Sequence, residues 1–155
     1  MASFDSVNYS LRPSKSIQRQ TVFDGVRSVQ SHLDLDGLVY IGFGSIWFTD
    51  FVMAHKQLGV EDMVSMESND IGFLRADFNS PYATVRVLHG YASKLLPVLY
   101  GDEVVGGRPW MIWLDYDREF NETLRDDVRS VIENAPENSL LLITFNGRET
   151  KYGHA

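Results

Sequence analysis

The chain has 155 residues, 44% of them hydrophobic and 23% charged, a balance that suits one globular domain with a sizeable core. A formal net charge of -7 argues against broad nucleic-acid binding through an overall basic surface, and the absence of cysteine excludes disulfides, zinc-thiolate sites, iron–sulfur clusters and thiol catalysis. Met1-Ala2-Ser3-Phe4-Asp5 lacks a basic and then apolar leader, and no apolar run approaches the roughly 18 residues of a membrane span, so a cytoplasmic location without a membrane partner is expected.

Residues 1–13 read as an irregular arm, because Asn8 to Arg12 is largely polar and Pro13 restricts the residue before it. A leading helix over 14–33, capped by Ser14 or Ser16, follows from the spacing of Ile17, Val22, Val26, Val29 and Leu33. Lys15, Arg19 and Arg27 fall on its polar side. Asp34 to Gly37 then turns into Leu38-Val39-Tyr40-Ile41, a first core strand that breaks at Gly42-Phe43-Gly44.

Ile46, Phe48, Phe51, Val52 and Leu58 restart at helical spacing, predicting a helix over 45–58 closed by Gly59. Met63 to Glu67 is a short strand ending in a carboxylate, and 68–78 reads as a helix. Ala83 to Leu88 is β-branched and alternating, a third strand ending at His89-Gly90. Tyr91 to Tyr100 predicts a short helix in which Pro97 sits near the end or makes a kink.

Trp110 to Leu114 is a near-continuous apolar strand ending in Asp115-Tyr116-Asp117. A charged helix over 119–134 is expected to bury Phe120, Leu124, Val128, Val131 and Ile132. Leu140 to Phe145 reads as a fifth strand buried on both faces. With no repeat or linker, residues 1–155 form one domain in which crossover-length helices between strands imply a parallel sheet.

Such a sheet binds ligands beyond the carboxyl ends of its strands. The residues there are Gly42, Gly44 and Ser45; Glu67; His89, Gly90 and Tyr91; Asp115 and Asp117; and Asn146. Glycine tolerates a tight turn and a close approach of ligand to backbone, and the helix start behind it suits anionic groups. An acid ending the second strand is placed to accept hydrogen bonds from two ribose hydroxyls. Asp115, Asp117 and His89 are candidates for acid–base work.

Here the sequence resembles the class I S-adenosylmethionine-dependent methyltransferases. Tyr40 to Ser45 looks like their glycine-rich first motif, Met66-Glu67 like their ribose-binding acid, and Trp113 to Asp117 like their fourth-strand motif, where catalytic or metal-binding carboxylates often lie. More loosely, Asn8 to Lys15, Ile41 to Phe48 and Trp113 to Asp117 look like bacterial proteins described as "putative O-methyltransferases". The resemblance covers residues 14–147 and implies a three-layer α/β sandwich with a mostly parallel five-stranded Rossmann-like sheet in the order 3-2-1-4-5. It departs from the family in two ways: Tyr40 and Ile41 stand where an acid usually precedes the glycines, and the usual sixth strand and antiparallel seventh have no counterpart.

The resemblance implies S-adenosylmethionine at Gly42, Gly44, Ser45, Glu67 and Gly90, with Asp115 orienting or deprotonating an acceptor of unknown identity and Asp117 or His89 second. Each residue also has a plainer reading. The glycines can form a turn without ligand, Glu67 and the two aspartates can cap helices, and His89 can be structural. Asp115 and Asp117 could ligate magnesium or calcium, though two carboxylates fall short of a full ligand set. Arg12, Lys15 and Arg19 form a small basic cluster that could hold a substrate phosphate or carboxylate, or a solvated helix face. Trp47, Phe48 and Phe51 read as core or pocket wall, and Asp77 to Tyr82 as a structural turn.

Two rival functions stand beside methyl transfer. A catalytically silent Rossmann-like module would oligomerise, as a homo-oligomer or with a partner chain, through the fifth-strand edge. A nicotinamide-dependent oxidoreductase is disfavoured because Trp47 stands where the third glycine of its turn would be.

Overall fold

The computed structural model of the chain describes residues 12–30, 32 and 35–147. The arm up to residue 11, the helix end at Leu33, the turn at Asp34 and the segment after 147 lie outside the described residues. The elements follow the expected alternation: α1 (Pro13–Gln30), β1 (Val39–Gly42), α2 (Thr49–Leu58), β2 (Met63–Glu67), α3 (Asp70–Phe78), β3 (Val85–His89), α4 (Ala92–Tyr100), β4 (Trp110–Asp115), α5 (Glu122–Asn134) and β5 (Leu140–Thr144). Among the described residues no helix is long and apolar enough to cross a membrane.

The five strands form one parallel sheet in the order β3-β2-β1-β4-β5. Ile41 at its centre pairs with Val64 on one side and Ile112 on the other. Successive strand residues face opposite ways, so the apolar runs feed two cores. Tyr40, Met63, Met111 and Trp113 join Phe23 and Val26 of α1, Phe51, Ala54 and Leu58 of α2 and Ala76 of α3. Ile41, Val64, Ile112 and Leu114 join Leu96 and Leu99 of α4 and Leu124 and Val131 of α5. Helices therefore cover both faces of the sheet, giving the expected three-layer sandwich, and chain direction across the sheet reverses between β1 and β4.

Four expectations need correction. Helix α2 starts at Thr49 rather than residue 45, because Ser45 and Phe48 take left-handed backbone angles, with φ of 46° and 48°, that no right-handed helix contains. In α1 the buried row is Arg19, Phe23 and Val26, while Ile17 and Val29 are exposed. In α5, which begins at Glu122 behind an Asn121 cap, the row is Leu124, Asp127 and Val131, while Phe120 and Ile132 are exposed. Each of these helices thus spends a buried position on a charged residue, which an apolar pattern cannot find. Strand β5 is only half-buried throughout, since among the described residues it has a single neighbour, β4. Pro97 lies inside α4, and Gly59 closes α2 as expected.

Candidate functional site

The carboxyl ends of the strands open into two adjoining hollows. The larger, of about 310 Å³, lies between the ends of β2, β3 and β4; Phe43, Met66, Ala92 and Tyr116 give it apolar walls and Glu67, Asp115, Asp117 and Asp127 an acidic edge. The smaller, of about 100 Å³, lies beneath α1 and the 43–49 turn, where Lys15, Arg19, Asp50, Gly44 and Ser45 line it. Phe43, Glu67, Asp115 and Asp117 belong to both.

Glu67 ends β2, and its Oε1 accepts from the Asn69 backbone N–H at 2.9 Å. Asn69 in turn caps α3 by accepting from Gly72 N–H, also at 2.9 Å. A Cβ on Gly72 would stand 2.9 Å from the Glu67 carboxyl carbon, so glycine there makes room for the acid. Glu67 therefore does what both of its readings require: it ties the start of α3 and also faces both hollows.

At Gly44 the backbone is closely packed. Its N–H donates to Ser65 Oγ at 3.1 Å, and a Cβ would lie 2.6 Å from both Ser65 Oγ and Phe48 Cε1. The missing side chain is thus needed for packing beneath the turn, although Gly44 still lines the small pocket. Gly42 is buried at the end of β1 and lines neither hollow, whereas Ser45 lines the small one and Gly90 the large one.

Asp115 is the hub. Its Oδ1 accepts from the Thr144 hydroxyl at the end of β5 and lies 3.6 Å from the Lys15 ammonium. Asp117, two residues on, is exposed and lines the same two hollows. His89 lines neither; its Nε2 is 3.1 Å from Asp70 Oδ1 and its ring stacks on Phe73 at 5.0 Å. Of the eight residues that the resemblance nominates, six thus line these two hollows, while Gly42 is buried at the end of β1 and His89 turns toward α3. Among the described residues no three His, Asp or Glu side chains group as a metal site.

Two buried pairs under the cleft are not legible from the sequence as site residues. Arg19, only 9% exposed, ion-pairs with Asp50 in the first turn of α2, so this member of the basic cluster is buried, whereas Arg12 is exposed and Lys15 half-buried. Burial raises the Asp50 carboxyl above its ordinary range, and the Arg19 guanidinium opposes the rise. Burial also raises the Tyr40 hydroxyl above its ordinary range, with the Asp50 and Asp115 carboxylates adding to the rise. Among the described residues Arg19 Nη1 is buried without a hydrogen-bond partner. On the other side Tyr116 donates to Asp127 Oδ2 at 2.6 Å; burial raises both groups, and the tyrosine hydroxyl partly offsets the rise at Asp127.

With the geometry established, comparison with known proteins becomes informative. The family model described as "Putative O-methyltransferase" matches residues 7–155. The chain belongs to this methyltransferase family. The "Putative methyltransferase yhhF from Escherichia coli" has a similar solved structure, with a TM-score of 0.63 over 96% of this chain and 79% of that one. At 15% identity that likeness shows the shared fold alone. No curated protein sequence matches this family member. Membership supports methyl transfer and a cofactor of the S-adenosylmethionine type, and it directs attention to the wall that the two hollows share.

Proposed function

We propose that this protein binds S-adenosylmethionine across the two hollows and transfers its methyl group to a hydroxyl acceptor. The larger hollow, with apolar walls and Glu67 at its edge, suits the nucleoside, and Glu67 would accept from the ribose hydroxyls. The smaller one suits the amino-acid end, with Asp50 for the ammonium and Arg19 for the carboxylate. The observation that carries the reading is the buried Arg19 Nη1, which has no hydrogen-bond partner among the described residues: such a guanidinium N–H is costly unless an anion completes it.

When bound, the cofactor supplies an electrophilic methyl on a sulfonium that joins its two halves. The chain's own contribution lies at the shared wall. Lys15 and Thr144 fix Asp115 through Oδ1, and neither contact uses Oδ2, which is left to orient an acceptor hydroxyl and hold its proton. Phe43, T-shaped against Tyr116 at a centroid distance of 5.2 Å, gives that wall an apolar face. Holding an acceptor in line at such a wall supplies most of the acceleration in a displacement of this kind.

Calorimetric titration with S-adenosylmethionine, S-adenosylhomocysteine and NAD tests the reading. The first two bind and NAD does not, and Glu67→Ala weakens both by about 10-fold to 100-fold, the worth of charged hydrogen bonds. No binding of either sulfur nucleoside by the unaltered protein would sink the cofactor claim, and unchanged binding by Glu67→Ala would remove the ribose assignment.

A further inference from the structure

The larger hollow has one polar group to which no role has yet been given. Asp127 lines it from α5 yet is 3% exposed, so almost the whole of this acid is out of water. Tyr116 donates to its Oδ2 at 2.6 Å, and no donor meets its Oδ1. Among the described residues the buried side-chain polar atoms sealed off without a partner are Arg19 Nη1 and Arg86 Nη2, and Asp127 Oδ1 is not one of them. What opening the carboxylate keeps is therefore at Oδ1, and it gives onto the hollow. An oxygen this deep, aimed into a cavity, is costly unless a donor completes it.

We infer that Asp127 Oδ1 accepts from the exocyclic amine of the cofactor's adenine and so makes the site selective for that base. The inference rests on the nucleoside reading of the larger hollow. Glu67, given there to the ribose, lies on the wall that both hollows share, whereas Asp127, Ser93 and Thr123 line the larger hollow and not the smaller. A nucleoside held by its ribose at the shared wall, with its amino-acid end in the smaller hollow, has its base in the part of the larger hollow that Asp127 helps to close. Adenine carries acceptor nitrogens in its rings and one donor group, the amine, on the edge away from the ribose. A carboxylate only accepts, so the amine is the group of the base that it can bind. Met66, Ala92 and Tyr116 offer apolar surface to the ring faces. The acid is held in advance by Tyr116 and by its place on α5, so little ordering is needed on binding. A base without the amine leaves the buried oxygen unsatisfied, a mismatch that discriminates strongly.

The test uses the full chain and two ligands, S-adenosylhomocysteine and its analogue in which hydrogen replaces the amine of the base. The unaltered protein binds the analogue about 10-fold to 100-fold more weakly, the worth of a hydrogen bond to a charged group. In Asp127→Asn the amide oxygen takes the Tyr116 hydroxyl and the amide NH2 turns to the hollow, so S-adenosylhomocysteine loses its acceptor and the two affinities come within about threefold of each other. Far-ultraviolet circular dichroism reports whether the variant folds, and a second measurement needs no variant: bound to the unaltered protein, S-adenosylhomocysteine labelled with 15N at the amine shows a nuclear Overhauser cross-peak from its amine protons to the Cβ protons of Asp127. Equal affinities for the two ligands in the unaltered protein, a ratio unchanged in folded Asp127→Asn, or absence of the cross-peak would each overturn the assignment and leave the cofactor reading standing. Failure of S-adenosylhomocysteine itself to bind overturns the reading beneath it.

Discussion

At the residue scale, the Tyr116–Asp127 pair decides how the wall of the larger hollow responds to pH. Asp127 is 3% exposed on a helix whose other buried residues are leucine and valine, and the tyrosine hydroxyl is what makes a carboxylate tolerable there. Tyr116→Phe removes that donor and is expected to cost about 1–3 kcal/mol. The sign of the pH effect follows from the raised carboxyl. A folded acid whose pKa exceeds its unfolded value of 3.8 holds more protons folded than unfolded, so stability falls as pH rises from the ordinary carboxylate range through the folded value. Without the hydroxyl that value climbs further and the window widens upward. Urea unfolding at about pH 5 and about pH 7.5 should therefore show a larger deficit for Tyr116→Phe at the higher pH; equal deficits would mean that Asp127 is not the group responding. This pair is illegible in the sequence for a physical reason. Asp127 occupies a core position by virtue of a partner eleven residues away, outside its own helix, and periodicity registers only apolar residues.

At the scale of elements, the sequence pattern places the turn from β1 to α2 correctly but misjudges its shape. Ile46, Trp47 and Phe48 have helical spacing, yet the chain passes through two left-handed residues before α2 begins, and Trp47 ends 49% exposed. The strands are legible to within a residue or two, because their apolar runs are buried between two helical layers and have no other use. The ligand-facing direction of a strand's last residue is not. Glu67 and His89 pair across β2 and β3, yet one faces the cleft and the other packs on α3. Gly44 shows the same limit, since the close packing around it leaves no mark in the sequence pattern. Gly44→Ala places a Cβ at 2.6 Å from Ser65 Oγ and Phe48, both fully buried, and should cost about 1–3 kcal/mol as overpacking. At roughly 2–4 °C per kcal/mol for a chain of this size, thermal unfolding would fall by about 2–12 °C. Gly107→Ala, where nothing lies within 4 Å of the added carbon, serves as the control and should leave the midpoint nearly unchanged. Similar midpoints for the two variants would show that the turn has slack.

At the scale of the whole molecule, the order of the parallel strands reverses between β1 and β4, which lie side by side, and α1 lies across the smaller hollow, held by polar contacts and by Phe23 and Val26 in the core. Lys15 reaches Asp115, Arg19 reaches Asp50, and Arg27 and Gln20 both reach Gln57, while Arg19, Phe23 and Val26 are its buried residues. Packed on one face of the sheet, α1 should open more readily than the strands beneath it, which are hydrogen-bonded to their neighbours and covered on both faces, even though lifting it uncovers Phe23. A ligand whose carboxylate completes Arg19 Nη1 adds a contact between α1 and the sheet side of the site. If S-adenosylhomocysteine binds as proposed, a hundred times its dissociation constant should stabilise the fold by about 2.7 kcal/mol, or roughly 5–11 °C in the midpoint. Hydrogen exchange should show where that stabilisation falls. Amides of α1 are expected to slow more than those of β1 and β4, and the excess should disappear in Arg19→Ala, whose sheet remains folded at low temperature even after losing about 3–5 kcal/mol from the broken buried pair. Uniform slowing over the whole chain, with or without Arg19, would mean that the ligand does not reach α1 and that the smaller hollow holds no part of it.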